Sequence, residues 1–318
     1  MIKVGIVGYG NLGKSAEKLI KNSKDMLVYG IFTRRDPKSL DTNSNAYDFE
    51  SIEDHVGKVD VMLLCGGSKS DIMKQGPLVH KYFNTVDCFD THAKISEYLK
   101  QMDEIGNEHN TLALVSTGWD PGLFSMQRVL FESILPNSKT YTFWGKGVSQ
   151  GHSDAIRRIE GVKKAIQYTI PVESTLKKVR EGSNENFTDR QKHTRECFVV
   201  ADCDHDRIRE EIVNMKNYFS DYDTTVHFIN EEEFDKNHNK LNHGGFVIRS
   251  ADTGDGIQNM EFSLQLDSNP DFTAASAIAF IRAVYRLSNE GKTGAITVLD
   301  IPLSYLINKT REDLIKMI

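Results

Sequence analysis

Three groups of residues in this chain have the types and spacing of chemistry. They are the glycines of Gly8-Tyr9-Gly10-Asn11-Leu12-Gly13, the pair in Thr33-Arg34-Arg35, and the carboxylates Asp90 and Asp120. The glycine run follows a short apolar strand, KVGIV, and opens a helix over Leu12–Lys21. A buried strand that breaks into glycines and then starts a helix is a nucleotide-phosphate site. Gly8 permits the tight turn, Gly10 lets the backbone approach a pyrophosphate, and Gly13 lets the helix pack on the strand. The free N–H groups and positive dipole end of that helix then face the phosphates. A bare GxGxxG also occurs in turns that bind nothing, so the weight comes from the order strand, glycines, amphipathic helix.

The second strand, Met26–Phe32, ends at Thr33, Arg34 and Arg35, where a dinucleotide-binding fold meets the adenosine ribose. An acidic residue there would suit the 2′-hydroxyl of NAD, whereas guanidinium groups and a hydroxyl suit the extra 2′-phosphate of NADP. NADP is therefore the expected cofactor. The ordinary alternative is a pair of exposed arginines that solvate a loop, with Asp36 left to reach a ribose hydroxyl.

Asp90 and Asp120 stand at the carboxyl ends of the strands expected at Thr85–Asp90 and Thr111–Ser116, Asp120 within Ser116-Thr117-Gly118-Trp119-Asp120-Pro121-Gly122. In an open parallel sheet that edge is where a ligand sits. Two carboxylates beside a nicotinamide complement an ammonium group, and one of them can take its proton. Each also has a plain structural reading, Asp90 as a helix cap and Asp120 as the organiser of a turn. A third strand, Val59–Cys65, runs into Cys65-Gly66-Gly67-Ser68, small residues that let the backbone approach a cofactor; Ser68 equally suits a helix cap.

These residues need a scaffold, and the strand and helix patterns supply one. With helices around Asp71–Tyr82 and Ser96–Gly106, strand and helix alternate as in a doubly wound (Rossmann) α/β fold with a parallel sheet. The alternation stops at Gly122. A helix over Leu123–Leu135 and strands at Thr140–Trp144, Gln167–Val172, Glu196–Ala201, Thr225–Ile229, Gly245–Arg249 and Met260–Leu266, with one clear helix at His205–Phe219, predict an inserted α+β substrate or dimerisation domain. Ser149–Asp154 reads as a loop in which His152 and Asp154 either pack the loop, the favoured reading, or orient one another, without the nucleophile a hydrolase triad requires. Glu173–His193 is charged and poor in apolar residues, the pattern of a mobile surface excursion. The apolar helix Phe272–Leu287, a strand near Ala295–Leu299 and a last helix return to the first sheet. The expected domains are residues 1–120 with 273–318, for the dinucleotide, and 121–272, for substrate and dimerisation.

The 318 residues, 39% of them hydrophobic and 9% aromatic, allow two cores. A net charge of −6 argues against a nucleic-acid partner. Cys65, Cys88, Cys197 and Cys203 lack paired spacing, as expected of reduced thiols and no metal. The chain enters its first strand at once, and no apolar run approaches the roughly 18 residues of a membrane span, so a cytoplasmic protein is expected.

The segments VGYGNLG, TRR, VSTGWDPG, FWGKGVSQGHSDAIRR, CFVVAD and DSNPDFTA, in this order, resemble the meso-diaminopimelate dehydrogenase family over essentially the whole length. The resemblance implies NADP-dependent oxidative deamination of meso-2,6-diaminopimelate at its D-centre, giving L-2-amino-6-oxopimelate and ammonia, the reverse reaction serving lysine and peptidoglycan synthesis. It also implies a homodimer. Asp90 and Asp120, with Trp119 and Trp144, would surround the reacting D-centre, and Gln150 and Gly151 would join the substrate contacts. Thr169, Arg195, His243 and Asn269 would bind the distal L-centre. Cofactor contacts would come from the glycine run with Tyr9, Asn11 and Leu12, from Thr33, Arg34 and Arg35, from Cys65, Gly66, Gly67 and Ser68, from Cys88, Phe89 and Asp90, and from Thr117, Gly118, Trp119, Asp120 and Pro121. Arg195 would fork a carboxylate, although residue type alone equally allows a surface ion pair for Arg195 and a loop role for His243. Two competing readings remain at this stage: another two-domain NADP-linked reductase, such as a dihydrodipicolinate or sugar-acid reductase, and a dinucleotide-sensing module without catalysis.

Overall fold

The computed structural model describes residues 1–202, 204–238, 240 and 242–318, which leaves Cys203 outside the described residues. The chain forms two units, Met1–Met126 with Pro270–Ile318, and Gln127–Asn269. Among the described residues no helix is long and apolar enough to cross a membrane.

In the first unit, strands β1 (Ile2–Val7), β2 (Met26–Thr33), β3 (Ala46–Asp48), β4 (Val61–Leu64), β5 (Asn84–Asp87) and β6 (Leu112–Leu114) join the strand Gly294–Ile296 in one parallel sheet. Its order is Gly294–Ile296, β6, β5, β4, β1, β2, β3. The chain reverses direction of travel beside β1, as a doubly wound sheet requires. The four residues of β4 are all buried, because helices cover both faces of a parallel sheet. One face packs on the helices Asn11–Lys21, through Ala16 and Ile20, and Asn269–Asn289, through Ala274, Ala277, Ile278, Ile281 and Val284. That spacing of three and four residues is the apolar stripe of a helix laid against a core. The expected strand at Thr85–Asp90 stops at Asp87, so Asp90 stands three residues beyond it. The third and fifth strands are shorter than expected in the same way, and β3 had no legible counterpart.

Glu17, in the helix after the glycines, is a buried carboxylate that ties this corner together. It accepts hydrogen bonds from Lys21 Nζ, Thr42 Oγ1 and Ser44 Oγ, each at 2.6 Å, and from the Tyr9 hydroxyl. Burial alone would raise its pKa, but the four donors outweigh burial and hold the carboxyl at about 2. A depressed folded-state pKa adds stability that is complete above the ordinary carboxylate range and is lost as pH falls toward 2. A gap of two to three units corresponds to about 3 kcal/mol. Glu17→Gln is therefore expected to unfold at lower urea than the parent at pH 7, with the difference largely gone near pH 2. A difference that does not change with pH would contradict this account.

The second unit holds two sheets. β7 (Thr140–Trp144), β12 (His243–Asp252) and β13 (Ile257–Leu266) form one, in the order β13, β12, β7. β8 (Gly147–Val148), β9 (Val162–Pro171), β10 (His193–Ala201) and β11 (Asp223–Phe228) form the other, in the order β11, β10, β9, β8. The segment 173–193, expected as an excursion, instead carries helices at Glu173–Arg180 and Asp189–Lys192. Leu176 and Val179 are buried against Tyr141, Phe143 and Ile248, so a short apolar stripe prevails over the high average polarity. The loop expected at Ser149–Asp154 is corrected likewise, because Gln150–Arg157 is a helix. His152 bonds the Ser149 hydroxyl at 2.7 Å and packs edge-on to Tyr218 and Phe219, while Asp154 pairs with Arg157, so the two do not orient one another. The helix expected to reach Phe219 ends at Val213.

Candidate active site

The carboxyl edge of the first unit's sheet collects the first set of predicted residues. Gly8 has φ of +91°, which only glycine adopts freely, and a Cβ on Gly13 would strike the carbonyl of Gly8. Both glycines serve the turn. Gly10 is different, because a Cβ there would meet no protein atom within 4 Å. The helix it opens has no side-chain cap and no acidic residue in its first turn. Space beside Gly10 and uncapped N–H groups fit a bound pyrophosphate.

Arg34 and Arg35 are tied into this edge rather than left to solvate a loop. Arg35 Nη2 donates to the carbonyl of Tyr9 at 2.6 Å, and Arg35 N donates to Thr33 Oγ1 at 3.1 Å. Arg34 Nη2 pairs with Asp71 Oδ1 at 2.6 Å, and Asp71 Oδ2 accepts from Gly67 N at 3.2 Å. Each guanidinium has five N–H groups, so these bonds leave donors for a phosphate. Asp36 caps the short turn Pro37–Ser39 by accepting from Lys38 N at 3.0 Å.

Ser68 is not a helix cap. It is the first residue of the short π-helix Ser68–Ile72, and its hydroxyl accepts from Asp90 N at 3.1 Å, joining the segments after β4 and β5. Asp90 is exposed and caps no helix through its side chain. Cys88 Sγ lies 3.3 Å from Thr117 Oγ1, which joins the loops after β5 and β6. Burial pushes the Cys88 thiol up to about 12 and raises that of Cys65 as well, so both stay protonated and neither is a nucleophile. Trp119 is buried edge-on to Phe124, Asp120 is half-buried, and the Asp120–Pro121 peptide is cis. Ser276 Oγ holds the carbonyl of Gly118 at 3.0 Å.

The second set lies within the second unit. Thr169 and Arg195 are paired residues on β9 and β10, both buried, and the guanidinium donates to the threonine hydroxyl. The Tyr222 ring lies 3.9 Å from Arg195 Cζ, and Arg195 Nε has no hydrogen-bonding partner among the described residues. A buried guanidinium with an unused donor is prepared for an anion. Trp144 ends β7, and its main-chain N–H donates to His193 Nε2 at 2.9 Å, while the indole and imidazole rings stack. A Cβ on Gly147 would strike His243, which places His243 beside β8. Gln150 and Gly151 open the exposed helix start after Ser149, and Asn269 opens the helix Asn269–Asn289. Burial, then the charge of Arg195, lowers His152 to about 4 and His193 to about 3. His193 is therefore a neutral ring and can accept the Trp144 bond.

Comparison with known proteins places this chain among relatives of one activity. The diaminopimelic acid dehydrogenase C-terminal domain family matches residues 118–268. The chain is 52% identical to the meso-diaminopimelate D-dehydrogenase of Ureibacillus thermosphaericus over 99% of this chain and 98% of that protein. The chain belongs to the meso-diaminopimelate D-dehydrogenase family. The crystal structure of Corynebacterium glutamicum DAP dehydrogenase in complex with DAP superposes with a TM-score of 0.93 at 47% identity, covering 99% of this chain and 98% of that one. An engineered D-amino acid dehydrogenase bound to NADP+ gives 0.87 at 46% identity, with the same coverage.

For a member of the meso-diaminopimelate D-dehydrogenase family, three neighbours of the expected residues were missed. Asp87, inside TVDCFD, carries the only charge within β5, and a charge inside a fully covered strand is the signal that could have found it. Its carboxyl is pushed up to about 6 by burial, against the pull of N–H donors from Ser116 and Phe89 and of the Tyr98 hydroxyl. His193 and Tyr222 meet their partners across strands, and no local pattern marks them.

Proposed function

We propose that the chain catalyses the reversible NADP-dependent oxidative deamination of meso-2,6-diaminopimelate at its D-centre, giving L-2-amino-6-oxopimelate, the open form of tetrahydrodipicolinate, and ammonia. The reverse reaction supplies lysine and peptidoglycan precursors. The observation that carries this reading is a phosphate-ready sheet edge whose adjoining strand ends bear Asp90 and Asp120, in a chain that matches family members over nearly its full length.

Residues 1–120 with 273–318 take the dinucleotide through the glycine run, Thr33, Arg34, Arg35, Cys65–Ser68, Cys88–Asp90 and Thr117–Pro121. NADP, when bound, accepts the hydride. Asp90 and Asp120 complement the ammonium of the D-centre, and one of them takes its proton, because a neutral amine is what gives up hydride. Water then adds to the imine and ammonia departs. Trp119 and Trp144 shape the space around that centre, and Gln150 and Gly151 join the substrate contacts. From residues 121–272, Arg195 and Thr169 hold the distal carboxylate, and His243 and Asn269 complete the grip on the L-centre. Geometry rather than chemistry tells the two ends apart. We further infer a cytoplasmic homodimer. Exposed Val129, Leu130 and Ile134 on the helix Leu123–Ile134 support the dimer.

The test is NADPH formation with meso-, LL- and DD-diaminopimelate, repeated with NAD. Fast turnover of the meso isomer alone, with NADP, is expected; fast turnover of the LL isomer, or of none, would overturn the assignment. Replacing Arg34 and Arg35 together by glutamine is expected to raise the KM for NADP by about 10- to 100-fold, the worth of charge-assisted hydrogen bonds. The KM for NAD should move far less, and equal changes would remove the pair from phosphate recognition.

A further inference from the structure

Asp87 closes β5 at full burial, and its acceptors are divided between two loops. Oδ1 accepts from Phe89 N at 3.0 Å and from Ser116 N at 2.9 Å. Its main-chain carbonyl accepts from Thr117 N at 2.8 Å and from Thr117 Oγ1 at 2.7 Å. Phe89 immediately precedes Asp90, and Ser116-Thr117 leads into Trp119-Asp120. Ser116 has φ of +62°, an unfavourable conformation for a residue with a side chain, and its N–H is one of those Asp87 holds.

The arrangement is costly. The Tyr98 hydroxyl faces the Asp87 carboxyl and pulls on it, but neither that hydroxyl nor Oδ2 reaches good hydrogen-bond geometry, and the buried Ser116 hydroxyl has no partner among the described residues. A buried carboxylate with one unsatisfied oxygen destabilises a fold, and an asparagine would accept the same two N–H bonds without the charge. Stability alone does not account for it.

We propose that Asp87 is a positioning residue for the reaction, one buried carboxylate oxygen fastening the loop that carries Asp90 to the loop that carries Asp120. This rests on the reading that Asp90 and Asp120 act at the D-centre. Displacement of a reacting group by about 1 Å costs on the order of a hundredfold in rate, so a bond that sets their spacing acts on turnover.

The experiment measures kcat and KM for meso-diaminopimelate, and the Kd for NADP, in Asp87→Ala, Asp87→Asn and Asp87→Glu, alone and with Asp120→Asn. Asp87→Ala is expected to lower kcat by about 30- to 100-fold with KM and Kd within about 3-fold. Asp87→Asn keeps an oxygen in place and should stay within about 5-fold of the parent. Asp87→Glu keeps the charge, moves the oxygen by one methylene, and should fall with alanine. In the Asp120→Asn background Asp87→Ala should cost no more than about 3-fold further, because its effect passes through Asp120. Native kcat in Asp87→Ala, equal loss in alanine and asparagine, or the full loss repeated on top of Asp120→Asn would overturn the proposal. If Asp87→Ala does not fold, the other pair decides: an active asparagine and impaired glutamate variant supports it, and the reverse overturns it. Native turnover in Asp120→Asn alone sinks the assignment of Asp120, whereas an inactive Asp120→Asn beside a native Asp87→Ala sinks the role of Asp87 only.

Discussion

Asp120→Asn is expected to lower kcat for oxidative deamination by about 100- to 10,000-fold, the range over which a positioned acid–base group accelerates a proton transfer. The side chain follows a buried tryptophan and precedes a cis proline, in a loop held by Ser276 and by Asp87. Asparagine fits the same space, so the folded state should persist and the Kd for NADP should change far less than kcat. Removing a negative charge that complements an ammonium also weakens the substrate, and a smaller rise in KM is expected beside the loss of kcat. Stopped-flow measurement of the first turnover separates the chemical step from product release. A first turnover at the parent rate would exclude Asp120 from the chemistry, and Asp90 would then be the group to examine.

Arg195→Met should act at the other end of the substrate. The guanidinium is buried, bonded to Thr169, faced by the Tyr222 ring, and retains an unused donor. Methionine keeps most of the length and removes the charge. Truncating one partner of a buried charge pair costs about 2–5 kcal/mol, so kcat/KM for meso-diaminopimelate should fall about 30- to 5,000-fold, chiefly through KM. A D-amino acid with an apolar side chain has no distal carboxylate to lose, and for it the change should be small or favourable. The ratio of the two specificities is the measurement. An equal loss for both substrates would mean that Arg195 supports the structure and does not select the substrate.

The parts of the fold that were legible are those whose signals are local. Gly8, Gly10 and Gly13 lie within six residues of chain, and their expected roles follow from that spacing together with the strand before them and the helix after them. The alternation of strand and helix over the first 120 residues fixed the sheet, because a fully covered parallel strand reads as an unbroken apolar run. Asp87 was passed over because TVDCFD continues the apolar pattern on either side of it, and its effect comes from N–H groups 2 and 29 residues further along. Leu176 and Val179 were hidden by averaging, since a stripe of three buried residues vanishes in a charged segment unless its phase is followed. His193 and Tyr222 became visible only when strands brought them to Trp144 and Arg195.

The two imidazoles around Arg195 have a consequence for how the enzyme meets acid. Held down to about 4 and about 3, the His152 and His193 rings stay uncharged near neutral pH. Neither ring therefore puts a second positive charge beside the Arg195 guanidinium until the medium is well into the acid range.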